Sequence, residues 1–161
     1  ESPAFRSLID VDDPNFASPG DMPGKIRAYC KRTGQLVPES VGEVVRCIYE
    51  SLALKYRSVA ERTMALTGRR AKVIHVVGGG TKDRFLSQLT ADACGIPVCA
   101  GPEEATAIGN LMLQLMAAGE VADLRDARRV VAASFETKQY LPTADRNMWD
   151  EAYGRICTLY R

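Results

Sequence analysis

An apolar segment that runs directly into three glycines most constrains the fold of this chain. Residues 72–77 are mostly β-branched or apolar, which predicts a strand that is buried on both faces. Gly78, Gly79 and Gly80 follow it, and a helix is predicted to begin near Asp83, a favourable N-terminal cap. A strand, a glycine turn and a helix in this order indicate an α/β protein.

A second short strand completes this unit. The helix after the glycines is predicted to end at Gly95, and residues 97–100 then form a strand. Parallel strands need a crossover connection, which is usually a helix, so we expect a short parallel pair with a crossover helix. Two strands make a poor sheet, because an independently stable sheet needs about three or more. We therefore expect an incomplete domain.

Helices account for most of the remaining chain. The strongest pattern runs from Ser40 to Leu66, with Glu43 placed for a capping box and Gly68 as the stop. Apolar residues at spacings of three and four predict its buried face: Val41, Val44, Val45, Ile48, Leu52, Tyr56 and Val59. Charged residues are predicted on its other surface: Glu43, Arg46, Glu50, Lys55 and Arg57. Further helical turns are predicted after Pro23 and helices over 103–118, 123–135 and 144–159, with residues 1–24 as loop.

Composition narrows the class of protein. The net charge of +1 gives no basic excess, so we expect no nucleic-acid partner. No apolar run approaches the length of a membrane span, so we expect no membrane partner. Five cysteines without a C-x-x-C pair favour buried, reduced thiols in a cytoplasmic protein. The chain begins with Glu1 rather than Met, and we expect it to be either processed or cut from a longer protein.

The glycine turn is the candidate ligand site. Ligands of open α/β sheets bind at the carboxyl ends of the strands, and glycines there allow a close approach of the backbone or a positive φ. The helix N-terminus that follows favours phosphate. We predict that a nucleotide binds at Gly78, Gly79, Gly80, Thr81 and Asp83. The alternative is a turn that needs glycine for packing only. The spacing fits neither the dinucleotide fingerprint nor the P-loop.

The other polar residues favour structural roles. His75 is predicted to be a core or edge residue of its strand. A solvated loop is expected for Asp10, Asp12 and Asp13, and no further ligands complete a zinc set with Cys94 and Cys99. We predict no catalytic residue and no metal site in this chain.

Several segments resemble the FGGY carbohydrate kinases and, among them, the rhamnulokinases. The segments 75–80, 88–98 and 100–110 together carry this resemblance. The early segments 7–10, 12–16, 19–22 and 46–54 resemble the same family. The resemblance covers nearly the whole chain in the family's order.

This resemblance implies an actin-like ATPase, or ribonuclease H-like, fold of two domains with a cleft between them. ATP would bind mainly to the C-terminal domain, to which this chain would belong. The sugar would bind mainly to an N-terminal domain, which would precede Glu1 together with the catalytic aspartate and further strands. The reaction implied is transfer of the γ-phosphate of ATP, with Mg²⁺ bound mainly through ATP, to the 1-hydroxyl of L-rhamnulose in rhamnose catabolism. This chain alone is expected to be inactive.

One departure from the family concerns the glycine turn. The family commonly has Gly-Gly-Gly-Ser-Gln-Asn, whereas this chain has Thr81, Lys82 and Asp83 after the glycines. A carboxylate accepts hydrogen bonds but cannot donate them. Whether Asp83 contacts adenine, as the family's amide would, is therefore an open question at this point.

Two other functions remain open. The chain could belong to a kinase of a related ketose, such as fuculose or xylulose. It could also be a non-catalytic helical interaction module with a purely structural glycine turn. If upstream antiparallel strands are missing, the strand at 72–77 presents an unpaired edge or an uncovered face, and we expect the isolated chain to associate or to be marginally stable.

Overall fold

The computed structural model describes residues 2–160, and the predicted strand–helix–strand unit lies at its centre. Within these residues the helices are α1 (Met22–Arg32), α2 (Val41–Thr67), α3 (Arg84–Cys94), α4 (Ala105–Ala117), α5 (Leu124–Ser134) and α6 (Arg146–Cys157). The strands are β1 (Ile74–Val76), β2 (Val98–Ala100) and β3 (Lys138–Tyr140). Short 3-10 helices cover Pro14–Phe16 and Gly78–Lys82. The predicted helices are therefore all present, with ends that differ by a few residues.

The sheet has the strand order β1-β2-β3. Strands β1 and β2 are parallel and α3 connects them, as predicted, with Ile74 opposite Val98. Strand β3 was not predicted, and it pairs antiparallel with β2 so that Tyr140 also lies opposite Val98. The third strand makes the sheet mixed and leaves β1 at an edge.

The prediction that the first strand is buried on both faces is wrong. Ile74 and Val76 are half-buried against the core under α3, while His75 and Val77 are exposed. Because β1 is an edge strand and helix α3 covers one face, the alternate side chains of the other face remain in contact with solvent. His75 is thus an exposed edge residue.

Helix α2 has the predicted ends but a different buried face. The Ser40 hydroxyl accepts a hydrogen bond from the Glu43 amide (3.2 Å), and the Glu43 carboxylate accepts one from the Ser40 amide (3.1 Å), which confirms the capping box. Gly68 ends the helix in the left-handed conformation. Most of the predicted apolar face is exposed or half-buried: Val41, Val45, Ile48, Leu52, Tyr56 and Val59. Val44, Cys47 and Leu54 face the core together with small and charged residues: Glu50, Ser51, Ala53, Arg57 and Ser58.

The buried charges of α2 are compensated by partners. The Glu50 carboxylate accepts hydrogen bonds from the Phe5 amide (2.7 Å) and from Arg46 Nε (2.7 Å). Burial raises the pKa of Glu50, and the hydrogen bonds from Phe5 and Arg46 oppose this shift. Arg57 forms ion pairs with Glu61 and Asp150. A buried charge is tolerated when it is paired in this way, so these contacts attach the N-terminal segment and α6 to α2.

Two clusters form the main core. The first joins Leu8, Leu54, Trp149 and Ile156, and it brings the N-terminal segment and α6 together. The second lies between α1 and α2 and contains Ile26, Tyr29, Cys30, Val44 and Cys47. All five cysteines are free and four of them are buried, as predicted.

A smaller cluster lies between α4 and α5, where Ile108, Met112, Val121 and Ala127 are buried together. In the part of the chain that the structure describes, no helix combines the length and the apolar character that a membrane crossing requires.

Candidate functional site

The glycine turn lies at the carboxyl end of β1, beside the carboxyl end of β2. It forms a short 3-10 helix, Gly78–Lys82, rather than an open loop. Gly78 has a φ of 77°, in the left-handed region that favours glycine. The Gly78 amide donates a hydrogen bond to the Pro102 carbonyl (3.2 Å), which ties the turn to the loop after β2. Parallel pairing of β1 and β2 therefore places both loops at one edge of the sheet.

Gly79 and Gly80 do not need glycine for packing. A Cβ added at Gly79 would have no atom within 4 Å, and one at Gly80 would lie 3.7 Å from Val76 Cγ1, an ordinary contact. Both residues are exposed, and positive φ is found in this turn at Gly78 alone. The predicted positive φ thus applies to the first glycine, whereas the other two leave an open space above the end of β1.

Thr81 stabilises the turn from within. Its hydroxyl donates a hydrogen bond to the Gly78 carbonyl (2.7 Å). Lys82 is exposed and forms an ion pair of 3.1 Å with Glu103, in the loop that precedes α4. The turn is therefore held by its own hydroxyl and by an exposed charge pair, which contributes little in free energy.

Asp83 connects the turn to α3. Its amide donates to the Gly80 carbonyl (3.2 Å), and its Oδ1 accepts from the Leu86 amide (2.9 Å), so it caps α3 as predicted. Its Oδ2 accepts a hydrogen bond from the Tyr49 hydroxyl (2.7 Å). This hydrogen bond to Asp83 raises the pKa of Tyr49. Both carboxylate oxygens thus have partners within the protein.

Tyr49 is the contact that the sequence did not predict. It lies on α2, 34 residues before Asp83, and its ring packs edge-on against Phe85 with a centroid distance of 5.2 Å. Helical periodicity places a residue on a face but does not indicate which distant residue its hydroxyl contacts.

Open clefts flank β1 on both faces. One, of about 380 Å³, lies between α2, β1 and α3 beside Gly80; Ile74 and Val76 line it together with Tyr56 and Val59. The other, of about 860 Å³, lies between the opposite face and the α4 and α5 pair, where His75 and Val77 line it. His75 lines both clefts, while alternation along the strand places Ile74 and Val76 on one face and Val77 on the other.

The remaining polar candidates have structural partners. Lys55 forms ion pairs with Asp10 (3.1 Å) and Asp12 (2.7 Å). A hydrogen bond from the Asn15 amide and the nearby Arg32 guanidinium lower the pKa of Asp13. Among residues 2–160, no three histidine, cysteine or acidic residues are grouped in a way that could hold a metal ion.

Comparison with known protein families decides the kind of domain. The model of the FGGY family of carbohydrate kinases, C-terminal domain, matches residues 1–118. The chain belongs to the FGGY carbohydrate kinase family. The matched part contains α1 to α4, β1, β2 and the glycine turn, while α5, β3 and α6 follow it.

Curated FGGY relatives narrow the resemblance to rhamnulokinases. The chain is 53% identical over 149 residues to the rhamnulokinase of Bacteroides thetaiotaomicron, which covers 92% of the chain and 30% of the relative. It is 49% identical over 142 residues to the rhamnulokinase of Enterococcus faecalis, with 87% and 29% covered. The chain thus spans less than a third of the length of these relatives.

Solved FGGY structures confirm the fold class. A xylulose kinase from Rhodospirillum rubrum matches with a TM-score of 0.60 and 24% identity, over 79% of this chain and 26% of that one. A gluconate kinase from Lactobacillus acidophilus matches with a TM-score of 0.61 and 19% identity, over 73% and 23%. The chain therefore has part of the actin-like ATPase fold, as predicted.

Proposed function

We propose that this chain is the ATP-binding, C-terminal part of a kinase that transfers the γ-phosphate of ATP to the 1-hydroxyl of L-rhamnulose. The open space at Gly79 and Gly80 is the observation that carries the proposal, because neither packing nor backbone conformation explains glycine there. Glycine at these positions lets a ligand approach the main chain. The choice of sugar rests on the names of the relatives.

The nucleotide-binding residues proposed are Gly78, Gly79, Gly80, Thr81 and Asp83. A phosphate of ATP would lie near the turn, where the N-terminus of α3 favours negative charge. Phosphoryl transfer depends on positioning and on compensation of the charge of the transferred group. Mg²⁺ would be bound mainly through the phosphates of ATP.

We further propose that residues 1–161 form an incomplete domain, completed by preceding residues of the same polypeptide. The exposed apolar positions of α2, among them Val45, Tyr56 and Val59, support this proposal, as does the free edge of β1. Exposed apolar surfaces of this kind mark interaction sites. An N-terminal domain would then supply the sugar site and the catalytic base. Free, mostly buried thiols favour the reducing cytoplasm.

Steady-state kinetics of the full-length kinase test this function. L-Rhamnulose, L-fuculose and D-xylulose are compared as acceptors, and ADP formation is measured. We expect the highest kcat/KM with L-rhamnulose, since differences in kcat/KM report differences in binding of the transition state. A higher kcat/KM with another ketose would show that L-rhamnulose is not the preferred substrate. If no sugar were phosphorylated and ATP did not bind, the result would favour the non-catalytic interaction module.

A further inference from the structure

The contact between α2 and the glycine turn has a role beyond the proposed list of nucleotide-binding residues. The Tyr49 hydroxyl reaches from the longest helix of the chain to Asp83, the residue that ends the turn and begins α3. Asp83 Oδ2 accepts this hydrogen bond while Oδ1 accepts from the Leu86 amide (2.9 Å). Asp83 therefore connects three elements: α2 and α3 through its carboxylate, and the turn through its main chain.

The main chain of Asp83 is part of the turn. Its amide donates to the Gly80 carbonyl (3.2 Å), so contacts that hold Asp83 in place also restrain the end of the glycine segment. If the Leu86 amide were its only donor, the Asp83 carboxylate could rotate about that single hydrogen bond. The second hydrogen bond, from Tyr49, fixes its plane, and hydrogen bonds to an ionised acceptor are the stronger ones.

The Tyr49 ring is itself held in place. It packs edge-on against Phe85, in the first turn of α3, with ring centroids 5.2 Å apart and an interplanar angle of 61°. Removal of the hydroxyl alone would preserve this aromatic contact. The packing of α2 on α3 also continues at Leu54 and Ala93, which are in the main core, so the helices do not depend on the hydroxyl to stay together.

We infer that Tyr49 is a positioning residue for nucleotide binding, which acts through Asp83 to hold the segment Gly78–Lys82 in its binding geometry. This inference rests on the proposed function, because it assigns the turn to ATP. Tyr49 itself does not belong to the proposed contact set. Its effect is to reduce the freedom that the turn would lose when ATP binds, and such preorganisation increases affinity.

The Tyr49→Phe variant of the full-length kinase tests the inference. We expect the KM for ATP to rise about five- to tenfold, the effect typical of one lost hydrogen bond. The kcat, the KM for the sugar and the melting temperature should stay close to those of the unchanged protein. Tyr140→Phe is the matched control, because the Tyr140 hydroxyl is buried without a hydrogen-bond partner among the described residues. This control should leave the KM for ATP unchanged.

A double-mutant cycle with Asp83→Ala separates a role through Asp83 from a direct one. If Tyr49 acts through this carboxylate, Tyr49→Phe has no further effect on the KM for ATP in the Asp83→Ala protein. Additive effects would overturn the inference. It would also be overturned if Tyr49→Phe left the KM unchanged while Gly80→Val raised it, an outcome that keeps the proposed function. If neither change altered the KM for ATP, the assignment of the turn to the nucleotide would itself be lost.

Discussion

Gly80 shows how a single residue can report on a ligand. A Cβ at this position would lie 3.7 Å from Val76 Cγ1, an ordinary contact distance. The fold therefore has room for a Cβ there, while a ligand that lies against the main chain would not leave that room. Since the fold does not require glycine at position 80, a requirement for glycine there would indicate a binding role and not a packing role.

We predict that Gly80→Val in the full-length kinase raises the KM for ATP at least about tenfold, which corresponds to ~1.4 kcal/mol. The KM for the sugar and the melting temperature should change little, because the sugar would bind elsewhere and the added Cβ makes only an ordinary contact with Val76. Gly154→Val on α6 is the control, since Gly154 is exposed and a Cβ there also meets no atom within 4 Å. A folded Gly80→Val protein with unchanged affinity for ATP would contradict the assignment.

Part of this site can be predicted from the sequence, because it depends on local signals. Asp83 was predicted as the cap of α3, because a short acidic side chain before an apolar helical repeat is a local signal. Tyr49 could not be predicted, because its hydroxyl finds its acceptor 34 residues away through the packing of two helices. The Asp83 carboxylate can only accept hydrogen bonds, and the Tyr49 hydroxyl supplies the donor that it needs.

At the level of elements, α2 shows where periodicity misleads. Its ends follow from the capping box and from Gly68, which are local features. Its buried face does not follow from valine positions, because the core accepts Ala53 and Ser51 together with the paired charges of Glu50 and Arg57. The sequence also does not predict β3, because a strand of three residues has too short a pattern to recognise. Tertiary contacts help to hold β3 beside β2, among them a hydrogen bond from the Thr143 amide, just after β3, to buried Asp92 (2.7 Å).

Glu50 provides a test of this arrangement of α2. We predict that Glu50→Ala lowers the free energy of unfolding by about 1–3 kcal/mol, since it leaves the Phe5 amide without its acceptor. Glu50→Gln should cost less, because the amide oxygen still accepts from the Phe5 amide and the buried charge is removed. Urea unfolding of both variants measures the difference. Equal losses for Ala and Gln would show that the hydrogen bond to the N-terminal segment is unimportant.

At the scale of the whole molecule, two apolar clefts flank β1. No strand among residues 2–160 pairs with the outer edge of β1, and clefts of about 380 and 860 Å³ open on its two faces. Exposed sheet edges and large apolar patches invite pairing with another chain. The proposed upstream residues would cover this region in the complete kinase.

We therefore predict that the isolated 161-residue chain associates or is marginally stable, and that it does not phosphorylate L-rhamnulose. Val59→Lys, on the exposed face of α2, should reduce the association, whereas Met148→Lys, an equally exposed position on α6, should not. Analytical ultracentrifugation and thermal melting measure both effects. A clean monomer with a cooperative transition at high temperature would contradict the prediction, as would turnover on the order of 1–1000 per second.

The contact between the two ends of the chain has a consequence for biosynthesis. Arg155 donates a hydrogen bond to the Phe5 carbonyl (2.8 Å), and Leu8 shares a core with Ile156, although almost the whole sequence separates them. On the ribosome, this core cannot close until α6 has emerged, so the preceding helices keep their apolar surfaces uncovered until then. A premature stop codon within α6 would therefore affect more than that helix, because the segment around Leu8 would lose its partners in the core.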